Sequence, residues 1–467
     1  MILLGLVAVP ALAAAGAYAH KEPPWRTAWL ITGALLHLGL VAFAWASRPG
    51  PALGGWLALD ALGSIVLATV SVLFAVIASY TVGYLRWEQP RGGRAFVSCL
   101  LVFLAAASLV ALSHHFVLLW IGLEATTLAI APLIFHRHDR RSLEAVWKYL
   151  VISSVAIALA LLGVFFLATA QAGAGRPLVL EDLVAQGTRL HPAWLKAAFI
   201  FLLVGFGTKM GLAPLHTWKP DAYGEAPGLV GGLMAGALTS CAFLAVARST
   251  QVALAAGVGP FIRPLLLAFG LLSLGVAAAF LVGQTDLRRL LAYSSVEHMG
   301  LLALGLGLGA AGSYGAVLHM INNAFVKGLL FLAAGNLLLR GAAGTHRTPV
   351  SAGLLLVGLF AVTGSPPFGT FLSEFAILGA AFQGGHYWIA GTALALLALI
   401  FVALAVRILG VIHGPSPGAA EAARESPWLV AGPIALALAV LLLGVYLPSA
   451  LVDALGAAAG ALGGRAP

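Results

Sequence analysis

The chain holds 467 residues, of which 61% are hydrophobic and only 9% charged, whereas a soluble domain carries about 25% charged residues. So little polar surface cannot cover a core in water, so lipid is the expected solvent and no soluble domain of useful size is left over. The formal charge of +9 has no basic cluster with interleaved aromatics behind it, which argues against nucleic acid. The two cysteines, Cys99 and Cys241, lie inside apolar runs without metal-type spacing and read as buried small hydrophobes.

Each membrane crossing needs about 20 apolar residues, and length and breaker signals predict about fourteen spans. In chain order they cover 2–19, 26–46, 56–85, 94–112, 115–136, 143–171, 193–216, 225–250, 258–283, 290–310, 312–339, 349–382, 386–413 and 426–452. The first has the length of a signal peptide but no basic n-region and a poor cleavage site. It is expected as a retained first helix. The whole chain 1–467 reads as one polytopic membrane domain.

Loop charges predict the orientation. With the N-terminus outside, the inner loops hold Lys21, Arg26, Arg86, Arg91, Arg94, Arg137, Arg140, Arg141, Lys219, Arg288, Arg289, Arg340, Arg347 and Arg424. The outer side holds chiefly Arg48, Arg176, Arg189, Arg248, Arg263 and Arg465. That asymmetry places both termini on the non-cytoplasmic side of the cell inner (cytoplasmic) membrane. The only long outer loop, roughly Gln171 to Pro192, is too short for a domain.

The seventh and twelfth spans carry breakers, Gly211 to Pro214 in one and Gly364 to Pro367 in the other. Proline removes a backbone donor and clashes with the preceding turn, so both helices are expected to break there. Free backbone groups at membrane depth persist only beside protein or a watery cavity. Paired interruptions, each with an ionisable neighbour, point to an inverted-repeat core. Ordinary proline-kinked packing is the plainer alternative.

An ionised group near mid-membrane costs roughly 2.5–3.5 kcal/mol on insertion scales, so Glu124, Lys148, Lys209, His216, His298, His319, Lys327 and Glu374 each need a reason. Glu124 has no cation one turn away, so its partner must come from another helix. Glu144 and Lys148 are spaced to pair along one helix, as a structural or snorkelling pair or as a functional one. Lys209 sits at the seventh-span break, where a carboxylate that approaches and withdraws makes lysine a switchable proton carrier; Glu124 is the proposed partner. His319, Asn323 and Lys327 recur every four residues and share one helix face, the pattern of a water file. Glu374 follows the twelfth-span break as a terminal carboxylate. His216 and His298 are candidate links to the cytoplasmic side, or hydrogen-bonded packing residues. No zinc or haem spacing lies on one helix and no phosphate-cradling loop is present, so neither cofactor nor metal nor ATP hydrolysis is expected.

Lys209 to Pro227, including Pro214, His216, Trp218, Pro220 and Asp221, resembles a signature of the antiporter-like subunits of respiratory complex I. Gln284 to Gly300, His319 to Gly335 and Gly364 to Glu374 resemble further signatures in the family's order. The resemblance implies a fourteen-helix all-α fold with two inverted five-helix repeats, near 94–250 and 258–413, and proton translocation along a central polar axis. It matches Glu124 and Lys209 to the first-repeat pair, Lys327 to the central lysine, Glu374 to the exit residue and His319 to a channel histidine. Two departures stand out: Ser240 occupies a place where several members carry lysine, and Asn323 replaces a frequent second histidine. The stretches around Glu124, Trp147 and Lys148, Val296 to Gly300, and Ala333 to Asn336 look most like the F subunit of hydrogenase-4-type complexes.

These readings predict a non-catalytic, ion-translocating subunit, without a redox site of its own, of an oxidoreductase complex. Its partners are other membrane subunits of a hydrogenase or complex I-like assembly, the lipid bilayer and, indirectly, a peripheral redox arm. A subunit of a cation/proton antiporter or ion-driven uptake system is the alternative. A passive anchor that has lost conduction is a third class, which the intact row of interior charges argues against.

Overall fold

The computed structural model describes residues 1–88, 93–171, 177–339, 348–414 and 425–463. The loop arginines Arg91, Arg176, Arg340, Arg347, Arg424 and Arg465 lie outside these residues. The first helices are α1 (Ile2–Ala19), α2 (Pro23–Ser47), α3 (Ala61–Trp87), α4 (Gly93–Leu112), α5 (Phe116–Ile134), α6 (Arg140–Ala170) and the short α7 (Leu180–Ala185). They are followed by α8 (Pro192–Met210), α9 (Trp218–Glu225), α10 (Gly228–Leu233), a π-helical turn at Met234–Leu238, α11 (Thr239–Ala255), α12 (Gly259–Gly283) and α13 (Leu287–Gly307). The remainder are α14 (Gly309–Leu339), α15 (Pro349–Val362), α16 (Gly369–Gln383), α17 (Tyr387–His413), α18 (Pro427–Val445) and α19 (Ser449–Gly463). Among the described residues there is no strand, and 13 helices are long and apolar enough to cross a membrane. The chain is an all-α, multi-pass membrane protein.

Local chemistry sets the ends. Prolines open α2, α8, α15 and α18 at positions where a missing N–H costs nothing. Asp60 and Asp286 cap α3 and α13, and Asp139 forms a reciprocal capping box with Ser142 at the start of α6. Gly211, at φ 88°, closes α8 in the left-handed conformation that glycine adopts without strain. Cis peptide bonds follow at Ala213–Pro214 and, between α15 and α16, at Pro366–Pro367.

Three boundaries differ from the sequence reading. The seventh span ends at Met210 rather than 216, and the polar stretch after it forms α9, whose Trp218, Lys219, Pro220, Ala222, Tyr223 and Gly224 are buried. The eighth helical run extends from Gly228 to Ala255. The last span, expected over 426–452, is two helices, because Pro448 interrupts the backbone between α18 and α19.

Position in the bundle follows the apolar pattern. The run α10–α11 and helix α14 are buried throughout their most apolar stretches, whereas α17 is buried over only 22% of its own and leaves Leu399, Phe401 and Val406 exposed. Helix α14 packs against α3, α10, α13, α15, α16, α18 and α19, and Asn336 ties three of them to it through Tyr80, Ser351 and the Leu429 carbonyl. Helix α9 is wedged among α5, α6 and α13, where it bridges the two sets of charges described next.

Candidate functional site

The first group stands where α5 meets the end of α8. Lys209 is fully buried, and its Nζ lies 3.4 Å from Glu124 Oε2 and within hydrogen-bond contact of Thr127 Oγ1. The ammonium also lies 6.0 Å from the centroid of the Tyr149 ring. Glu124 is partly open, its side chain 23% exposed, so the pair has one buried and one partly accessible end.

Lys148 and Glu144 stand apart from that pair. Lys148 Nζ lies 2.8 Å from Glu144 and 2.9 Å from Asp221, whose other oxygen receives Arg289 at 3.0 Å. These half-exposed groups, with Arg141, line a cavity of about 440 Å³. They form an open, charged vestibule rather than buried links.

Lys219, read from sequence as a loop charge, is fully buried. Its Nζ has no hydrogen-bond partner among the described residues and sits 6.0 Å from the Trp218 ring and 5.8 Å from that of Tyr223. Arg248, read as an outer charge, is likewise 1% exposed.

The second group lies between α13, α14 and α16. Lys327 donates to Ser294 Oγ at 2.7 Å, and Ser294 in turn donates to Glu297 Oε2 at 3.4 Å. Glu297 is thus the carboxylate facing Lys327, and it is 2% exposed. One turn along, His298 Nδ1 lies 2.9 Å from His319 Nε2, and His319 Nδ1 lies 2.9 Å from Ser373 Oγ. His298 thus stands in this central group beside His319, whereas the ring of His216 packs near Phe280 and Tyr293. Glu374 is half-buried with its Oε1 enclosed and without a hydrogen-bond partner among the described residues, and its carboxylate rests against Gly364. Asn323 donates weakly to the Ala235 carbonyl of the π-turn at 3.4 Å. Ser240 spends its hydroxyl on the Gly236 carbonyl of its own helix at 2.7 Å.

A further polar cluster sits at the other end of the bundle. Asp60 receives Arg248 at 3.0 Å and faces His114 at 3.4 Å, while His114 Nδ1 lies 2.5 Å from Glu181. Burial alone would raise the Asp60 carboxyl, but Arg248 and His114 together hold it well below the usual carboxylate range. Burial opposes and the His114 hydrogen bond favours the charged form of Glu181, which is also held low. The cluster joins the ends of α3, α4, α7 and α11.

The sequence alone marked Glu124, Lys209, His319, Lys327 and Glu374. It missed Lys219, which sits in a polar stretch between breakers, and gave Glu297 no role. A carboxylate one turn from His298 on a span was the available signal for the latter.

Residues 113–400, more than half of the chain, match the transmembrane family described as NADH:quinone oxidoreductase/Mrp antiporter. The chain belongs to this family. A hydrogenase-4 component F homolog from Methylacidiphilum infernorum is 32% identical over 431 residues, which cover 86% of this chain and 87% of that one. NADH-quinone oxidoreductase subunit N from Halorhodospira halophila is 30% identical over 458 residues, 91% of each chain. Among solved structures, a chain of the archaeal membrane-bound sulfane sulfur reductase superposes with a TM-score of 0.86 over 99% of this chain and 98% of its own, at 22% identity. The fold of this antiporter-family chain is therefore that of subunits within respiratory membrane complexes.

Proposed function

We propose that this chain is the proton-translocating membrane subunit of a redox complex of hydrogenase-4 or complex I type. The observation that carries the reading is the row of buried titratable groups from Glu124–Lys209, past Lys219, to Lys327–Glu297, His298–His319 and Glu374. Each charged member carries a desolvation cost that apolar residues in its place would avoid.

A proton arriving at the open side of Glu124 neutralises the carboxylate and loosens its hold on Lys209. An ammonium in apolar surroundings then gives up its proton readily. Lys219, on the helix between the groups, is the relay. Lys327 and Glu297 repeat the first pairing through Ser294, and the two imidazoles pass the proton to Glu374. The twofold pattern supports inverted repeats near 94–250 and 258–413. Loop charge supports both termini facing the non-cytoplasmic side of the cell inner membrane.

The relatives' names favour a redox assembly, with the other membrane subunits as direct partners and a peripheral arm supplying the chemistry. Inverted vesicles carrying the assembled complex test this. Glu124→Gln and Lys209→Met should each abolish substrate-driven proton uptake while the complex stays assembled. Undiminished uptake in either variant would overturn the reading, and uptake that depends on Na⁺ rather than on a redox substrate would favour an antiporter.

A further inference from the structure

Between α13, α14 and α16, one ligand atom each from His298, His319 and Glu374 lies within 4.8 Å of the others. Zinc bound tetrahedrally at 2.0–2.2 Å keeps neighbouring ligand atoms about 3.3 Å apart. The imidazole nitrogens at 2.9 Å need to part slightly, and the carboxylate needs to close in by a side-chain rotation. Two imidazoles and one carboxylate suit a divalent transition ion of the zinc kind rather than Mg²⁺ or Ca²⁺, which take mostly oxygen.

The hydrogen bonds around the group fix how it is poised. Ser373 Oγ already donates to the Thr370 carbonyl at 2.8 Å, so it accepts from His319 Nδ1 at 2.9 Å. His319 therefore carries its proton on Nδ1 and offers a lone pair at Nε2. That lone pair is occupied only by the Nδ1–H of His298. A histidine whose far nitrogen is anchored to an oxygen acceptor is the arrangement that orients metal-binding imidazoles. The Nε2 of fully buried His298 and the Oε1 of Glu374 are enclosed and have no partner among the described residues. His319 Nε2, the facing Nδ1 of His298 and the Glu374 carboxylate thus stand close together, and the Nε2 of His298, unpartnered among the described residues, can take the proton that Nδ1 gives up to a metal. The group lies next to the α15–α16 connection, whose Gly364 meets the Glu374 carboxylate.

We propose that His298, His319 and Glu374 form a binding site for a divalent transition-metal ion of the zinc class. The ion takes the place of the proton shared by the two imidazoles: His298 shifts its proton from Nδ1 to Nε2, and both facing lone pairs bind the metal with Glu374. Bound metal also blocks transfer between the imidazoles, a consequence that rests on the proposed function, whereas the site itself does not.

Titrating the purified full chain in lipid nanodiscs with Co²⁺ tests the site, because a four-coordinate Co²⁺ shows intense visible ligand-field bands. The expected result is one Co²⁺ per chain with those bands, displaced by Zn²⁺ and absent in His298→Gln, His319→Gln and Glu374→Gln. Ser373→Ala, which keeps all three ligands, should weaken binding about 10–100-fold. Folded wild-type protein without the bands, or bands that survive each ligand replacement, would overturn the site. Bands with no Zn²⁺ inhibition of proton uptake in the assembled complex would instead count against the conduction pathway.

Discussion

A β-carbon at position 211 would stand 2.1 Å from Cε of Lys219, so the aliphatic stem of this lysine fills the space that the glycine closing α8 leaves open. The seam between the two charged groups therefore holds an ammonium with no hydrogen-bond partner among the described residues. A helix end shaped for glycine and a buried lysine are one device.

Replacing Lys219 with methionine separates function from stability. An uncompensated buried charge opposes folding, and apolar residues of similar volume in place of buried charges are often neutral or stabilising by about 1–4 kcal/mol. Lys219→Met should hold or raise the thermal midpoint of the purified protein while substrate-driven proton uptake falls to background. A lower midpoint with normal uptake would make Lys219 a structural residue.

Gly364 supports Glu374 in a comparable way. It sits at φ 62°, and a β-carbon there would come 2.1 Å from Glu374 Oε2. Gly364→Ala should cost about 1–2 kcal/mol from the left-handed backbone and push the carboxylate away from the histidines. Thermal unfolding and proton uptake should fall together. Unchanged uptake would show that the position of Glu374 is immaterial.

How much was legible in the sequence depended on contrast. Glu124, Lys209, Lys327 and Glu374 stand out as charges inside apolar runs, and the four-residue spacing of His319, Asn323 and Lys327 placed them on one face. Lys219 has no such contrast, because Trp218, Pro220 and Asp221 surround it and the stretch reads as a loop. Only the tertiary wedge of α9 among α5, α6 and α13 buries it. His298 could not be assigned to His319 from spacing, since the partners lie on different helices. The Asp60, His114, Glu181 and Arg248 cluster draws on four separate segments, so no local pattern announces it. The sequence reading carries the last span through Pro448 to 452, because one proline near the end of an apolar run does not by itself announce a separate helix α19.

Acid should weaken the protein through that cluster. Folding holds the carboxyls of Asp60 and Glu181 below their ordinary values, near 3.9 and 4.3. Their stabilisation is fully present above those values and is lost as pH falls towards the depressed folded ones. The thermal midpoint should therefore drop as pH is lowered from about 5. Asp60→Asn should be less stable at pH 7 by about 1.5–3 kcal/mol, the worth of a hydrogen bond to a charged group, and should show a shallower acid dependence. Parallel pH profiles for both proteins would contradict this.

Lys327 offers the most direct test of whether the buried row carries protons, because it is fully buried at the centre of α14 and touches the surface nowhere. The measurement is the number of protons moved per electron by the intact complex in proteoliposomes, with Lys327 or with methionine in its place. A conducting row predicts a lower ratio for Lys327→Met in a complex that still assembles and still turns over its redox substrate. An unchanged ratio in that complex would contradict the account.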